Sequence, residues 1–182
     1  MGYAGGTTSS PNYHNIGDHS ETVQVDYDPT QITYEKLLDA FWHSHNPTAG
    51  TMPTQYRSVI FYHNGAQETA ALESMAREET RLGRKIMTAV IPYTNFYLAE
   101  DYHQKYYLRS NPVLFRELYS IYPDPGDLLN STAAARLNGY IGGFGDEATV
   151  LSQLDKLGLS EAGREEVRLI VKRGLEAVCP VS

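Results

Sequence analysis

EDYHQKYY (100–107) places Glu100, Asp101, Tyr102, His103, Tyr106 and Tyr107 within eight positions. Carboxyl, imidazole and phenol groups can pass protons and hold a polar substrate. A solvated helix face would use the same residues. GDHSE (17–21) and TQYRS (54–58) each set a polar cluster beside an apolar run, with Glu21 opening one and Arg57 the other. Strand ends beside loops are where sites tend to sit.

Other chemistry-bearing residues are less suggestive. The six histidines follow no zinc spacing, and His43 and His45 lie two apart on a predicted helix, so they face different ways. Surface or capping roles are expected for them, and no metal site. GYIGGFG (139–145) has the glycines of a phosphate loop, but no Lys-Ser/Thr follows and no strand precedes it. It reads as a flexible connector. The single cysteine, Cys179, rules out an intramolecular disulfide and fits a reducing, cytoplasmic setting.

The net charge of −7 argues against nucleic acid as the main partner, because phosphate binding wants a basic face. The 182 residues hold no apolar run near membrane-spanning length. Tyrosine is abundant, at 14 residues, which suggests wet core edges or a polar pocket lined with phenols.

The elements that must position these groups follow from periodicity. ETVQVDYDP (21–29) alternates, with Val23, Val25 and Tyr27 on one face, and predicts a half-buried strand. TYEKLLDAFWHSHNP (33–47) predicts an amphipathic helix capped by Thr33, with Tyr34, Leu37, Leu38, Phe41 and Trp42 on its apolar stripe. RSVIFYH (57–63) predicts a central strand, 66–83 a helix ending at Gly83, and KIMTAVIPY (85–93) another strand. Residues 95–112 predict a loop feeding a helix, and 112–123 a short helix. Segments 127–145, 147–158 and 160–178 predict further helices, the last with Val167, Ile170, Val171 and Leu175 as its stripe. The alternation of strand and helix in the first half implies an α+β two-layer domain. The expected division is a domain over 1–126 and a helical extension over 127–182.

Taken in order, GYAGGTTSSPNY, DHSETVQVDYDP, YEKLLDAFWHSHNPT, TQYRSVIFYH and FYLAEDYHQKYY resemble the peptide methionine sulfoxide reductases of the A type, from Met1 to about Arg109. Residues 127–145 are similar to an extension carried by one branch of that family. The resemblance implies a ferredoxin-like α+β plait and reduction of methionine-S-sulfoxide, free or in proteins, to methionine. It implies no bound cofactor, thioredoxin as external reductant, and a monomer. A thiolate or selenolate attacks the sulfoxide sulfur, an acid protonates the departing oxygen, and phenols hydrogen-bond that oxygen. Carried onto this chain, the acid is Glu21 and the phenols are Tyr13 and Tyr56. Asp101, Tyr102, His103 and Tyr106 line the same cleft, and Cys179 is a possible resolving thiol. A water-poor aromatic surrounding would favour the protonated acid by disfavouring the carboxylate.

The chain departs from the family pattern in three ways. Thr51 stands where many members carry aspartate, and the loop HNIGD is shorter than usual; both fit the branch with the extension. The family's G-C-F-W-G segment, with its nucleophile, does not occur. The opening GYAGG therefore reads as the middle of a strand-loop unit whose first strand and helix are missing. The expectation is an N-terminally truncated record of a reductase whose nucleophile is cysteine or selenocysteine, testable in the genomic DNA directly upstream. As given, the chain is expected to be inactive, with an unpaired sheet edge and uncovered apolar surface. The alternative is a non-catalytic remnant or a module that binds sulfoxide-bearing peptides.

Overall fold

A computed structural model describes residues 1–49 and 53–177, the last four by backbone alone. Thr51 and Cys179 lie outside the described residues, as does the side chain of Leu175. The chain forms two compact units, Met1–Glu100 and Asp101–Ser182.

The first unit is mixed α and β. Strand β1 (Gly2–Ala4) is the central strand of a three-stranded sheet, between β2 (Ser20–Thr22) and β5 (Phe96–Leu98), and is antiparallel to both. The opening residues are thus part of the core, with Tyr3 and Ala4 buried. A two-stranded parallel sheet joins β3 (Val59–Tyr62) to β4 (Ala89–Pro92) through helix α2 (Gly65–Leu82). A crossover of this kind is what parallel pairing needs. Helix α1 (Tyr34–His43) packs on α2, and Leu38, Trp42, Ile60, Ala71 and Ile86 close the core between helices and sheet.

Local chemistry fixes the helix ends. Thr33 accepts from the Lys36 amide at the start of α1, and Asn64 accepts from Gln67 at the start of α2. Gly83 ends α2 in the left-handed conformation, with φ +62°, as its position after the apolar stripe predicts.

Three elements differ from the sequence reading. The strand expected over 21–29 stops at Thr22, and Val23 and Val25 are 68% and 55% exposed. Alternation needs a neighbouring strand to become a ladder, and none pairs with 23–27 among the described residues. Strand β3 is not central; among the described residues it has one hydrogen-bonded neighbour, β4. Strand β5 forms where a loop was expected, because its partner is the distant β1. A cavity of about 440 Å³ lies among 22–27, α1 and β3, lined by Val23, Val25, Leu37, Phe41, Val59 and Phe61.

The second unit is helical. It contains α3 (Tyr106–Arg109), α4 (Pro112–Ile121), α5 (Pro125–Asn130), α6 (Thr132–Ile141), α7 (Glu147–Gln153) and α8 (Glu161–Ala177). Asn111, Asp124, Ser131 and Asp146 each cap the helix that follows with a side-chain oxygen. Leu108, Leu114, Leu118, Leu137, Val150 and Val167 meet in one core. That shared core joins α3 and α4 to the later helices, and the compact units divide after Glu100.

Candidate functional site

Glu21 sits in the middle of β2, directly across from Tyr3 in β1, which in turn faces Tyr97 in β5. Opposed residues in antiparallel strands share a face, so Glu21, Tyr3 and Tyr97 form one row. The Tyr3 hydroxyl donates to Glu100 Oε2 at 2.7 Å, and Glu100 Oε1 accepts from the Tyr13 main-chain N–H at 2.9 Å. Glu100 therefore ties the loop carrying Tyr13 to the sheet row carrying Glu21. Tyr13 itself lies in a tight turn closed by paired Asn12 and Asn15, whose Asn12 side chain accepts from the His14 and Asn15 amides.

The base of that loop is pinned by two residues of DHSE. Asp18 accepts from the amides and hydroxyls of both Thr7 and Thr8, at 2.8 to 2.9 Å. Those hydrogen bonds, the Thr8 amide first, hold its carboxyl far below the usual carboxylate range. His19 is fully buried. Its Nδ1 accepts from the Gly6 amide at 3.1 Å, which leaves the ring proton on Nε2, donated to the Thr8 carbonyl at 2.7 Å. Gly17, with φ +61°, brings the chain so close to Thr8 that a Cβ there would lie 2.1 Å from the hydroxyl oxygen.

Tyr56 ends a 3-10 turn at Thr54–Tyr56, and that turn is fastened to β2. The buried Ser20 hydroxyl donates to the Thr54 carbonyl at 2.8 Å and accepts from Arg57 Nε at 2.7 Å. The Gln55 amide donates to Glu21 Oε1 at 2.7 Å. The structure thus brings Glu21, the Tyr56 turn and the Tyr13 loop onto one small sheet. Glu21 is half-buried, and Tyr13 and Tyr56 are 44% and 53% exposed. Within this unit they form an open surface.

Asp101, Tyr102 and His103 form a 3-10 turn at the start of the second unit, and Tyr106 begins α3. The Tyr102 and His103 rings lie 4.2 Å apart. Lys105, between them and α3, adopts φ 50°, and burial lowers its pKa. The remaining histidines take local structural partners. His43 Nδ1 bonds the Asp39 carbonyl, and His45 bridges the Phe41 carbonyl and the Ser58 hydroxyl.

Sequence reasoning missed Gln55, Ser20 and the tethering role of Glu100. Gln55 and Ser20 stand next to the residues it chose, Tyr56 and Glu21. Ser20 was readable in principle, because a residue adjacent to Glu21 in a strand must point to the opposite, buried face.

The family described as peptide methionine sulfoxide reductase matches residues 1–131. The selenoprotein methionine sulfoxide reductase A helical domain matches residues 125–172. A peptide methionine sulfoxide reductase of Drosophila melanogaster is 38% identical over 91% of this chain and 67% of its own length. The rice peptide methionine sulfoxide reductase A5 is 43% identical over 77% of this chain, and the match spans 57% of the rice protein. The crystal structure of reduced Mxr1 from Saccharomyces cerevisiae superposes with a TM-score of 0.56 at 36% identity, covering 61% of this chain and 69% of that one. With residues 1–131 matched by the family and the α+β fold shared with Mxr1, this chain belongs to the peptide methionine sulfoxide reductase family.

Proposed function

We propose that the first unit holds and protonates the oxygen of methionine-S-sulfoxide during its reduction to methionine. The observation that carries this reading is the attachment of the Tyr56 turn to the strand bearing Glu21, and of the Tyr13 loop, through Glu100, to Tyr3 in the neighbouring strand of the same sheet. Glu21 is the acid. As a thiolate or selenolate attacks the sulfoxide sulfur, the oxygen takes the proton from Glu21; the S–O bond then breaks as that hydroxyl passes to the attacking atom, which releases methionine and leaves a sulfenic or selenenic acid. The Tyr13 and Tyr56 hydroxyls donate to the same oxygen as charge develops on it.

The attacking group is not assigned to any described residue. The match to a helical domain named for a selenoprotein branch favours a selenolate. Cys179 is proposed as the resolving thiol, with thioredoxin as the external reductant and no bound cofactor. The working form is proposed to be a cytoplasmic monomer. No helix among the described residues is long and apolar enough to cross a membrane.

The test is a calorimetric titration of the chain with peptides carrying the S or the R epimer of methionine sulfoxide. Saturable binding of the S epimer in preference to the R epimer is expected. Glu21→Ala is expected to weaken it roughly tenfold, the effect of losing a hydrogen bond of about 1.4 kcal/mol. Equal binding of both epimers, or a Glu21→Ala protein that binds as the unaltered chain does, would sink the assignment.

A further inference from the structure

Glu21 and Gln55 are 34 positions apart, yet their side chains meet at 2.7 Å. Both are half-buried. The turn that brings Gln55 there is fixed by a separate pair of bonds, Ser20 to the Thr54 carbonyl and Arg57 to Ser20. Gln55 therefore reaches the carboxyl from a turn whose bracing does not involve the Glu21 side chain.

We propose that Gln55 is a positioning residue for Glu21, fixing the orientation of its carboxyl group and determining which oxygen carries the proton. This rests on the sulfoxide reading of the site. An amide N–H donates and cannot accept. In the orientation seen, with the Gln55 amide donating, Oε1 presents a lone pair in both the charged and the neutral acid. In the carboxylic acid the proton is then confined to Oε2. When Oε2 releases that proton to the sulfoxide oxygen, the O–H bond breaks, the electron pair stays on the carboxylate, and Oε1 gains negative charge. The bond from Gln55 becomes charge-assisted at that moment and strengthens. An interaction that is stronger after proton transfer than before it favours the transfer itself. Gln55 thus acts through Glu21, without needing to touch the substrate.

Two measurements test this, and they fail separately. In ¹⁵N-labelled protein, one proton of the Gln55 side-chain amide is expected to be shifted downfield and slowed in exchange. Both features should vanish in Glu21→Ala. A Gln55 amide with the values of a free side chain in the unaltered protein overturns the proposal, whatever the protein binds. The second measurement is the affinity for the S-sulfoxide peptide in three variants. Gln55→Met keeps the length and loses the donor, and a roughly tenfold weakening is expected. Gln55→Lys keeps a donor, and binding within about threefold of the unaltered chain is expected. Gln55→Glu places an acceptor and a like charge there, and binding at least as weak as in Gln55→Met is expected. A residue that merely filled space would rank these variants by shape, with Glu nearest to Gln. Tight binding by Gln55→Glu, or no loss in Gln55→Met, overturns the proposal. If the unaltered chain binds no sulfoxide, the function assigned to the site falls, and the amide spectrum decides the Glu21–Gln55 pairing by itself.

Discussion

Asp18 shows how much one side chain can organise. Its carboxylate collects four donors from Thr7 and Thr8, and these hold its folded pKa far below the unfolded value. A group depressed in the folded state contributes stability that is fully present above its unfolded pKa, about 3.9, and is lost as pH falls toward the folded value. Unfolding measured against pH should therefore show a constant advantage of the unaltered chain over Asp18→Asn above about pH 4, shrinking as pH falls below it. Parallel profiles would show that the carboxylate is not what ties the loop. A second residue-scale test concerns Trp42, the only tryptophan, whose buried indole N–H donates to the Ser74 hydroxyl at 3.0 Å. Ser74→Ala strands that donor and should cost about 1–3 kcal/mol in urea unfolding followed by tryptophan fluorescence.

At the scale of elements, the structure separates positions where a pattern is realised from positions where it is not. Gly83 closes α2 in the left-handed region with nothing within 4 Å of where a Cβ would stand. Gly83→Ala should therefore cost only backbone strain, about 1 kcal/mol, read from the thermal midpoint. Val25 belongs to the alternating stretch that stops pairing at Thr22, and it is exposed. Val25→Ser should change stability by less than about 0.5 kcal/mol. A loss of 2 kcal/mol or more would mean that 23–27 is a buried strand after all. Val23 and Val25 also line the apolar cavity beside α1 and β3.

At the scale of the molecule, each unit carries its own core. In the helical unit, Leu118 is fully buried among Leu114, Leu137 and their neighbours. Leu118→Ala should destabilise by about 2–5 kcal/mol, measured by circular dichroism of the helices during urea unfolding. The net charge of −7 spreads a repulsive potential toward polyphosphates. The protein is accordingly expected to pass a heparin column at physiological salt without retention.

The sequence by itself determined the helices and their caps. Thr33, Asn64, Gly83 and Asn111 act on donors and acceptors within a few residues, so their effect is local and readable. The polar motifs were legible because Glu21, Tyr13 and Tyr56 stand in stretches that resemble a known family. Tertiary structure decided what those residues touch. Whether 23–27 becomes a strand depends on a neighbour, and alternation alone cannot provide one. Strand β5 exists because β1, more than ninety positions away, offers it a ladder. The boundary between units follows the leucines that share a core, which no local change of composition marks. The pairing of Gln55 with Glu21 arises for the same reason: a hydrogen bond between residues 34 apart is set by how Ser20 and Arg57 brace the turn against the sheet, and periodicity along the chain carries no record of that.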